Sequence, residues 1–410
     1  MPVRVRAWDG SEFGVEGGPV VVLRSARVLR RLVWDPSEIG LARAFVAGEV
    51  EVEGDLYEGF RRVWAFAREQ RRAGVRLTWG QRARVVAAAV RFGAVGPRLA
   101  PPPEEARVRG KLHSRRRDRE AIAHHYDLSN EFYAALLDPH MAYSCGYWTS
   151  DAPSYTHEDA QRDKLELVCR KLGLREGMRF LDVGCGWGSL VLYAAEHHGV
   201  HATGITLSAQ QYEFVQKRIV ERGLQDRVEV RLLDYRELRG EPFDAVASIE
   251  MGEHVGEGNY GTYAATLHRM VKPRGRVLVQ QMSRGDVAPG GGAFIEAYVA
   301  PDMTMRPVGR TVDLLAQAGL EVRDVQALRE HYVRSVLAWA KTLEEKWEEF
   351  VGLVGIGQAR VWRLYLAGGA LAFEENRMGV DQILSVRPDP AGVSGMPGTR
   401  EALLADRVTG

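Results

Sequence analysis

Eight consecutive residues, Leu181-Asp-Val-Gly-Cys-Gly-Trp-Gly188, have the types and spacing to hold a nucleotide-like ligand. Apolar Met178, Phe180, Leu181 and Val183 predict a buried strand that stops at Gly184, and Leu190, Val191, Tyr193 and Ala194 begin an apolar helix face. Strand, glycine turn and helix make a cradle, because missing side chains let a ligand approach the backbone and the helix N-terminus faces it. Dinucleotide enzymes use a similar triplet, so the next strand has to discriminate. It runs from Ala202 to Ile205 and ends in Thr206-Leu-Ser-Ala-Gln-Gln211, with no acidic residue placed to hold a ribose. Asp182 lies inside the first motif instead. That pattern favours the methyl donor S-adenosylmethionine over a nicotinamide.

Further chemistry clusters on both sides of the cradle. Glu250 and Glu253 follow the fourth strand, at the carboxyl end where parallel sheets put their ligands. Glu257 reads as a solvent-exposed helix residue. Upstream, His124-His-Tyr-Asp-Leu-Ser-Asn-Glu-Phe-Tyr133 and Met141-Ala-Tyr-Ser-Cys-Gly-Tyr-Trp148 predict a lid over the cofactor, with Tyr126, Tyr143 and Ser144 offering hydroxyls. Two adjacent histidines invite a metal, but no third and fourth ligand follows at useful spacing. Cys145 has the type of a nucleophile and nothing nearby to activate it. Cys185, between two glycines, reads as a small packing residue.

Stepping outward, alternating strands near 179–183, 202–205, 228–232, 244–249 and 275–281 with helical stretches between them predict a doubly wound, mostly parallel α/β sheet. Glu344 to Glu349 and Val361 to Asn376 read as helical, and Asp381 to Val386 as a last strand. Before this domain, residues 1–100 read as a small α+β unit, with strands at Val3–Trp8 and Pro19–Leu23 and a helix capped by Asp35. Residues 101–120 are a linker, proline-rich and then basic; 121–388 form the main domain and 389–410 a flexible tail.

With 410 residues, 45% hydrophobic and 27% charged, the chain has ample material for two cores. Three cysteines form no disulfide framework, which fits a reducing cytoplasm, and no apolar stretch approaches the ~18 residues of a spanning helix. The net charge of +1 hides an asymmetry: residues 61–119 carry 17 Lys and Arg against 4 Asp and Glu. Within them Trp79 to Phe92 is amphipathic, with Arg82, Arg84 and Arg91 beside an aliphatic body, which suits an anionic membrane surface. Nucleic acid is the competing partner, and the scarcity of interleaved aromatics argues against it.

Taken together, HHYDLSNEFY, MAYSCGYW, LDVGCGWGSL, GITLSAQQ, EHVGEGNY and REHYVRSVLAW resemble the cyclopropane fatty acid synthases and the related mycolic acid and tuberculostearic acid methyltransferases. The resemblance covers about residues 35 to 388, and Phe45 to Leu56 looks like the lipid-side domain of longer members. It implies a class I methyltransferase fold and transfer of a methyl group from S-adenosylmethionine to the double bond of an acyl chain in a membrane phospholipid, through a carbocation. It also implies a donor site made of Tyr126, Tyr143, Gly184, Gly186, Thr206, Gln211 and Tyr235, and Ser144, Asp182, Leu207, Asp234, Ile249 and Glu250 are expected beside them. The family's base is a bicarbonate ion, held by the Cys145 backbone, Glu253, a histidine after the fifth strand, an aliphatic residue two further on, and Tyr332.

Here the chain departs from the family. Gln280 stands in the histidine's place and Met282 in the aliphatic one. A glutamine can donate to an anion but cannot titrate near neutral pH, so the position and basicity of bicarbonate stay open. Glu250 stands where many members have glycine. Ala288 to Tyr298 resembles the tuberculostearic branch, which implies an oleoyl chain, a hydride shift and a 10-methylene product that a partner reductase would saturate. A cyclopropane ring from the same methyl transfer is the alternative, and a small soluble substrate a second. A lipid-binding protein without turnover is a third, opposed by the intact cradle, Gln211 and Glu253. The expected setting is a homodimer peripheral to the inner face of the cell membrane. Arg82, Arg84, Arg115, Arg116 and Arg117 would meet anionic phospholipid there, and no nucleic acid is expected.

Overall fold

Leu181 and Val183 enter one apolar cluster while Phe180 enters another. A strand whose alternate side chains feed two cores belongs to a sheet covered on both faces. The computed structural model describes residues 2–72, 87, 90–92, 94, 96–106, 117, 129–285 and 292–404, and it contains that sheet. Two compact units divide the chain: Met1–Arg107 with Gly292–Val299 and Ala340–Ala372, and Val108–Gly291 with Ala300–Trp339 and Phe373–Gly410.

In the first unit β1 (Arg4–Arg6), β2 (Glu12–Phe13), β3 (Val20–Leu23) and β4 (Val50–Glu53) form a sheet in the order β2-β1-β3-β4. Helices α1 (Arg27–Trp34), α2 (Glu38–Val46) and α3 (Leu56–Arg72) accompany it. Val28, Ala44, Phe45, Val50 and Leu56 close the core together with Ala367. The segment 340–372 is therefore part of this unit, although the sequence reading placed it in the main domain. Both its ends fall inside helices, Arg329–Glu345 and Trp347–Glu374, so only long-range packing assigns it. Asp35 also departs from expectation: it lies at the C-terminal end of α1, and Ser37 is the N-cap of α2. Its carboxylate instead takes hydrogen bonds from Ser37 and from Arg43, the latter at 3.1 Å.

The second unit opens with α4 (Asn130–Leu136) and α5 (His157–Leu172). Then β5 (Arg179–Val183), α6 (Ser189–His198), β6 (His201–Thr206), α7 (Ala209–Glu221), β7 (Val228–Leu232), β8 (Phe243–Ile249), α8 (Tyr260–Met270) and β9 (Val271–Ser283) alternate. After α9 (Ala293–Tyr298), in the first unit, come α10 (Val308–Gln317), β10 (Glu321–Ala327), α11 (Arg329–Glu345), α12 (Trp347–Glu374), β11 (Gly379–Val386) and α13 (Arg400–Leu404). The sheet order is β10-β11-β9-β8-β5-β6-β7, parallel except that β11 runs antiparallel to both neighbours. This is the strand order of a class I methyltransferase. Chain order reverses between β5 and β8, and such a switch point leaves a crevice at the strands' carboxyl ends.

β10 is absent from the sequence reading because it is an edge strand whose side chains are all at least partly exposed, so it lacks an apolar run. The tail differs as well. Asp389 accepts from the Ala391 and Val393 backbone N–H groups at 2.9 Å and pairs with Arg274, and α13 brings Leu403 into the main core. Within 389–404 these contacts anchor Asp389 and Leu403, and 405–410 lie outside the described residues.

Candidate active site

At the crevice, β5 ends in the glycine bend. Gly184 has φ +86°, and a Cβ there would sit 3.0 Å from Cγ of Met251. A side chain would be both conformationally strained and crowded. Ile205 O accepts the Gly184 and Cys185 backbone N–H groups at 3.0 and 2.9 Å, which ties the bend to β6. Gly184→Ala is expected to weaken binding of S-adenosylhomocysteine by about tenfold or more through this strain, measured by calorimetry. Unchanged affinity would show that the bend does not shape the ligand site.

A single cavity gathers Tyr143, Ser144, Asp182, Gly184, Gly186, Thr206, Leu207, Gln211, Tyr235, Ile249 and Glu250, as the sequence reading expected. Thr206 Oγ1 donates to Gln211 Oε1 at 2.8 Å, so the side-chain amide of Gln211 presents its NH₂ end as the donor toward a ligand. Asp234 is not in the cavity wall. Its carboxylate takes three hydrogen bonds from Arg236 at 2.6 to 2.9 Å, and the arginine lines the cavity in its place. Tyr126, like Arg82, Arg84, Arg115 and Arg116, lies outside the described residues. Arg117 is described, and it grips Asp302 through two hydrogen bonds at 2.5 and 2.7 Å. That guanidinium is held by its own protein, which corrects its assignment to a lipid surface.

Lys164 is the residue the sequence reading missed. On α5 it falls on the buried stripe Ala160, Lys164, Val168 and Lys171, so a lysine on an apolar helical period was the available signal. The helix is set by a capping box between Thr156 and Asp159 and ends at Gly173 in the left-handed region. Only 1% exposed, Lys164 lines the cavity and donates from Nζ to Ser144 Oγ at 2.9 Å. Burial pushes its ammonium group down; Asp138, Glu250 and Asp182 favour the charge. Burial in turn raises Asp182 from 3.8 to about 7, and its Oδ1 has no hydrogen-bond partner.

Behind the cavity lies a second cluster. The backbone N–H of Glu250 donates to Gln280 O at 2.7 Å, and Gln280 Nε2 returns a bond to Glu250 Oε1 at 2.8 Å. Gln280 Oε1 accepts from Gln382 Nε2 at 2.9 Å. Glu253 is fully buried and neither of its oxygens has a hydrogen-bond partner. Burial and the neighbouring Glu250 push the Glu253 carboxyl well above its usual range, with the Met282 backbone pulling the other way. Burial also raises Glu250, opposed by the Gln280 amide, by Glu253 and by the Cys145 backbone. Two adjacent carboxyls cannot both ionise cheaply, so Glu253 keeps its proton and Glu250 ionises first. The Cys145 thiol is buried, raised well above its usual range, and bonded to the Gly146 and Leu328 carbonyls, so it is no nucleophile.

Aromatic rings run beside both clusters. Trp187 packs on Tyr133 at 4.3 Å, Tyr133 on Tyr143 at 5.6 Å, and Tyr143 on Trp339 at 5.3 Å. Trp339 meets Tyr332 at 6.1 Å, and Tyr332 meets Phe373 at 4.5 Å. Ring faces of this kind stabilise positive charge.

The model of the mycolic acid cyclopropane synthetase family matches residues 113–383. The chain belongs to this family. A probable fatty acid methyltransferase of Mycobacterium tuberculosis is 38% identical over 411 residues, 97% of this chain and 93% of that protein. The tuberculostearic acid methyltransferase of the same organism is 34% identical over 292 residues, 68% of this chain and 67% of its own length. Among solved structures, a mycolic acid cyclopropane synthase in complex with SAH and CTAB superposes with a TM-score of 0.61 at 28% identity, covering 65% of this chain and 97% of that one. This member of the synthetase family is an S-adenosylmethionine-dependent enzyme of the lipid methyltransferase and cyclopropane synthase type, acting on fatty acyl chains. The cavity fits that cofactor. Gly184 and Gly188 are crowded, a Cβ at Gly186 would enter open space, Thr206 and Gln211 supply polar contacts, and the unpartnered Asp182 oxygen suits a cationic ligand.

Proposed function

We propose that the enzyme methylates the double bond of an oleoyl-type chain in a membrane phospholipid and releases a 10-methylene acyl chain. The observation that carries this reading is the partly buried Glu250 in the wall of an aromatic-lined donor cavity, with the fully buried Glu253 near it in sequence. Bound at Asp182, Gly184, Thr206 and Gln211, S-adenosylmethionine supplies an electrophilic methyl group. The residues around it align the reacting groups and exclude water, which a weakly nucleophilic alkene requires. Tyr143, Trp339 and Tyr332 face the charge that develops on the chain. A carboxylate then takes a proton from the new methyl group after the hydride shift. Likeness to the tuberculostearic acid methyltransferase supports methylation of a fatty acyl chain. A reductase able to saturate an exocyclic methylene would act next.

Among the described residues no helix is long and apolar enough to cross a membrane. Access to the chain from the cytoplasmic surface would rest on Arg82, Arg84, Arg115 and Arg116, in a homodimer peripheral to the membrane. Methyl-labelled donor and dioleoyl phosphatidylglycerol vesicles test the proposal. Acyl chains should gain one CH₂, and ozonolysis should cleave the product to a ketone at the branched carbon. An ozone-resistant product would mean a cyclopropane, and activity confined to soluble substrates would remove the lipid reading.

A further inference from the structure

Glu250 is the place where the structure departs most from an enzyme that borrows its base from solution. It is a non-glycine residue with φ +52°, a region disfavoured for L side chains. The residue lines the donor cavity, whereas Glu253 and Gln280 do not. Around that carboxylate the donors are already committed. Gln280 Nε2 lies 2.8 Å from Oε1, and the Cys145 backbone N–H also favours the charged form. Gln280 cannot turn to serve another anion, because Gln382 holds its oxygen at 2.9 Å and its own carbonyl holds the Glu250 N–H at 2.7 Å. The second oxygen of Glu250, Oε2, is buried and has no hydrogen-bond partner.

A small oxyanion bound beside Cys145 and Gln280 would therefore find both donors taken and a carboxylate in its way. Like charges in a buried site repel strongly. The residues present do not fit a bicarbonate ion.

Resting on the methyl-transfer reading above, we infer that the Glu250 carboxylate is the enzyme's built-in proton acceptor, in place of an external oxyanion. The alkene electron pair forms the new carbon–carbon bond as the S–CH₃ bond breaks and its pair stays on sulfur. After the hydride shift, Glu250 Oε2 takes a proton from the added methyl carbon, and the freed C–H pair becomes the π bond of the methylene. The Gln280 amide, 2.8 Å from Oε1, holds Glu250 in its ionised form beforehand. The positive φ is the conformational cost of bringing a carboxylate to that spot.

The test uses the full-length enzyme in carbon dioxide-free buffer with dioleoyl phosphatidylglycerol vesicles. Wild-type turnover should be unaffected by removing bicarbonate. Glu250→Gln should lose about 10²–10⁴-fold in turnover, the usual worth of a positioned base, while S-adenosylhomocysteine still binds. Glu250→Gly relaxes the backbone, so the fold should be kept; its turnover should be low and partly restored by added formate or bicarbonate. Independently of activity, ¹³C NMR of labelled bicarbonate with S-adenosylhomocysteine present should show binding to Glu250→Gly and none to wild type. Bicarbonate dependence or bicarbonate binding in the wild type, or full turnover in Glu250→Gln, would overturn the inference. If no variant methylates lipid at all, the fault lies with the methyl-transfer reading, and the NMR comparison still decides whether Glu250 fills the anion position.

Discussion

Replacing Lys164 with Met is expected to cost about 3–5 kcal/mol of folding stability at pH 8, the range found when one partner of a buried charge cluster is removed. The ammonium is 1% exposed, donates to Ser144 Oγ at 2.9 Å, and is favoured by Asp138, Glu250 and Asp182. Burial already raises all three of those carboxyls. Without the lysine each would rise further. At pH 5.5 they can relieve the imbalance by binding protons, so the loss should be clearly smaller there than at pH 8. Urea unfolding at the two pH values measures the difference. Equal losses would mean that Lys164 acts through packing alone. Donor binding should fall with it, because Ser144, which the ammonium holds in place, forms part of the cavity wall.

The second large effect concerns Asp182. Its folded pKa of about 7 stands above the ordinary 3.8 because burial disfavours the carboxylate. The folded state therefore binds the proton more tightly than the unfolded chain. Stability from this group is complete below the unfolded value and is lost as pH rises through about 7. The full amplitude is about 4 kcal/mol, from roughly three pKa units. Donor-free wild type should lose stability between about pH 4 and pH 8, while Asp182→Asn, which has nothing to titrate, should be flatter and more stable at pH 8. The same variant should bind S-adenosylmethionine more weakly. The cationic ligand draws the wild-type proton off, so binding near pH 7 should release a fraction of a proton, visible as a calorimetric enthalpy that depends on the buffer. A wild-type stability flat across this window would show that Asp182 does not titrate there.

Both effects arise at positions whose importance was unequally visible. Asp182 belongs to an eight-residue run in which strand, bend and helix are contiguous, so its place at the carboxyl end of β5 could be inferred from types and spacing. Lys164 has a helical period as its only signal, and a lysine on an apolar stripe is ordinarily read as a boundary residue whose stem is buried. Asp35 is a helix-capping residue type ahead of a helix, yet Ser37 stands at the N-cap position of α2 and turns its hydroxyl to the Asp35 carboxylate rather than to the helix. The edge strand β10 has no apolar run to reveal it, and it exists because β11 offers it a hydrogen-bonding edge. Leu403 stabilises a tail whose composition suggested fraying.

The amino-acid order by itself determined the parallel sheet, the glycine cradle with Asp182, Thr206 and Gln211, and the likeness to lipid-modifying methyltransferases. These are matters of local periodicity and contiguous spacing, which a chain carries in its own covalent order. Tertiary structure alone decided that segment 340–372 joins the N-terminal unit, that Arg117 turns to Asp302, and that Glu250 meets Gln280 and Cys145. Those outcomes depend on bringing together residues that stand from 30 to more than 180 positions apart in the sequence. Desolvation there sets which carboxyl holds a proton, and no residue's type or spacing encodes it.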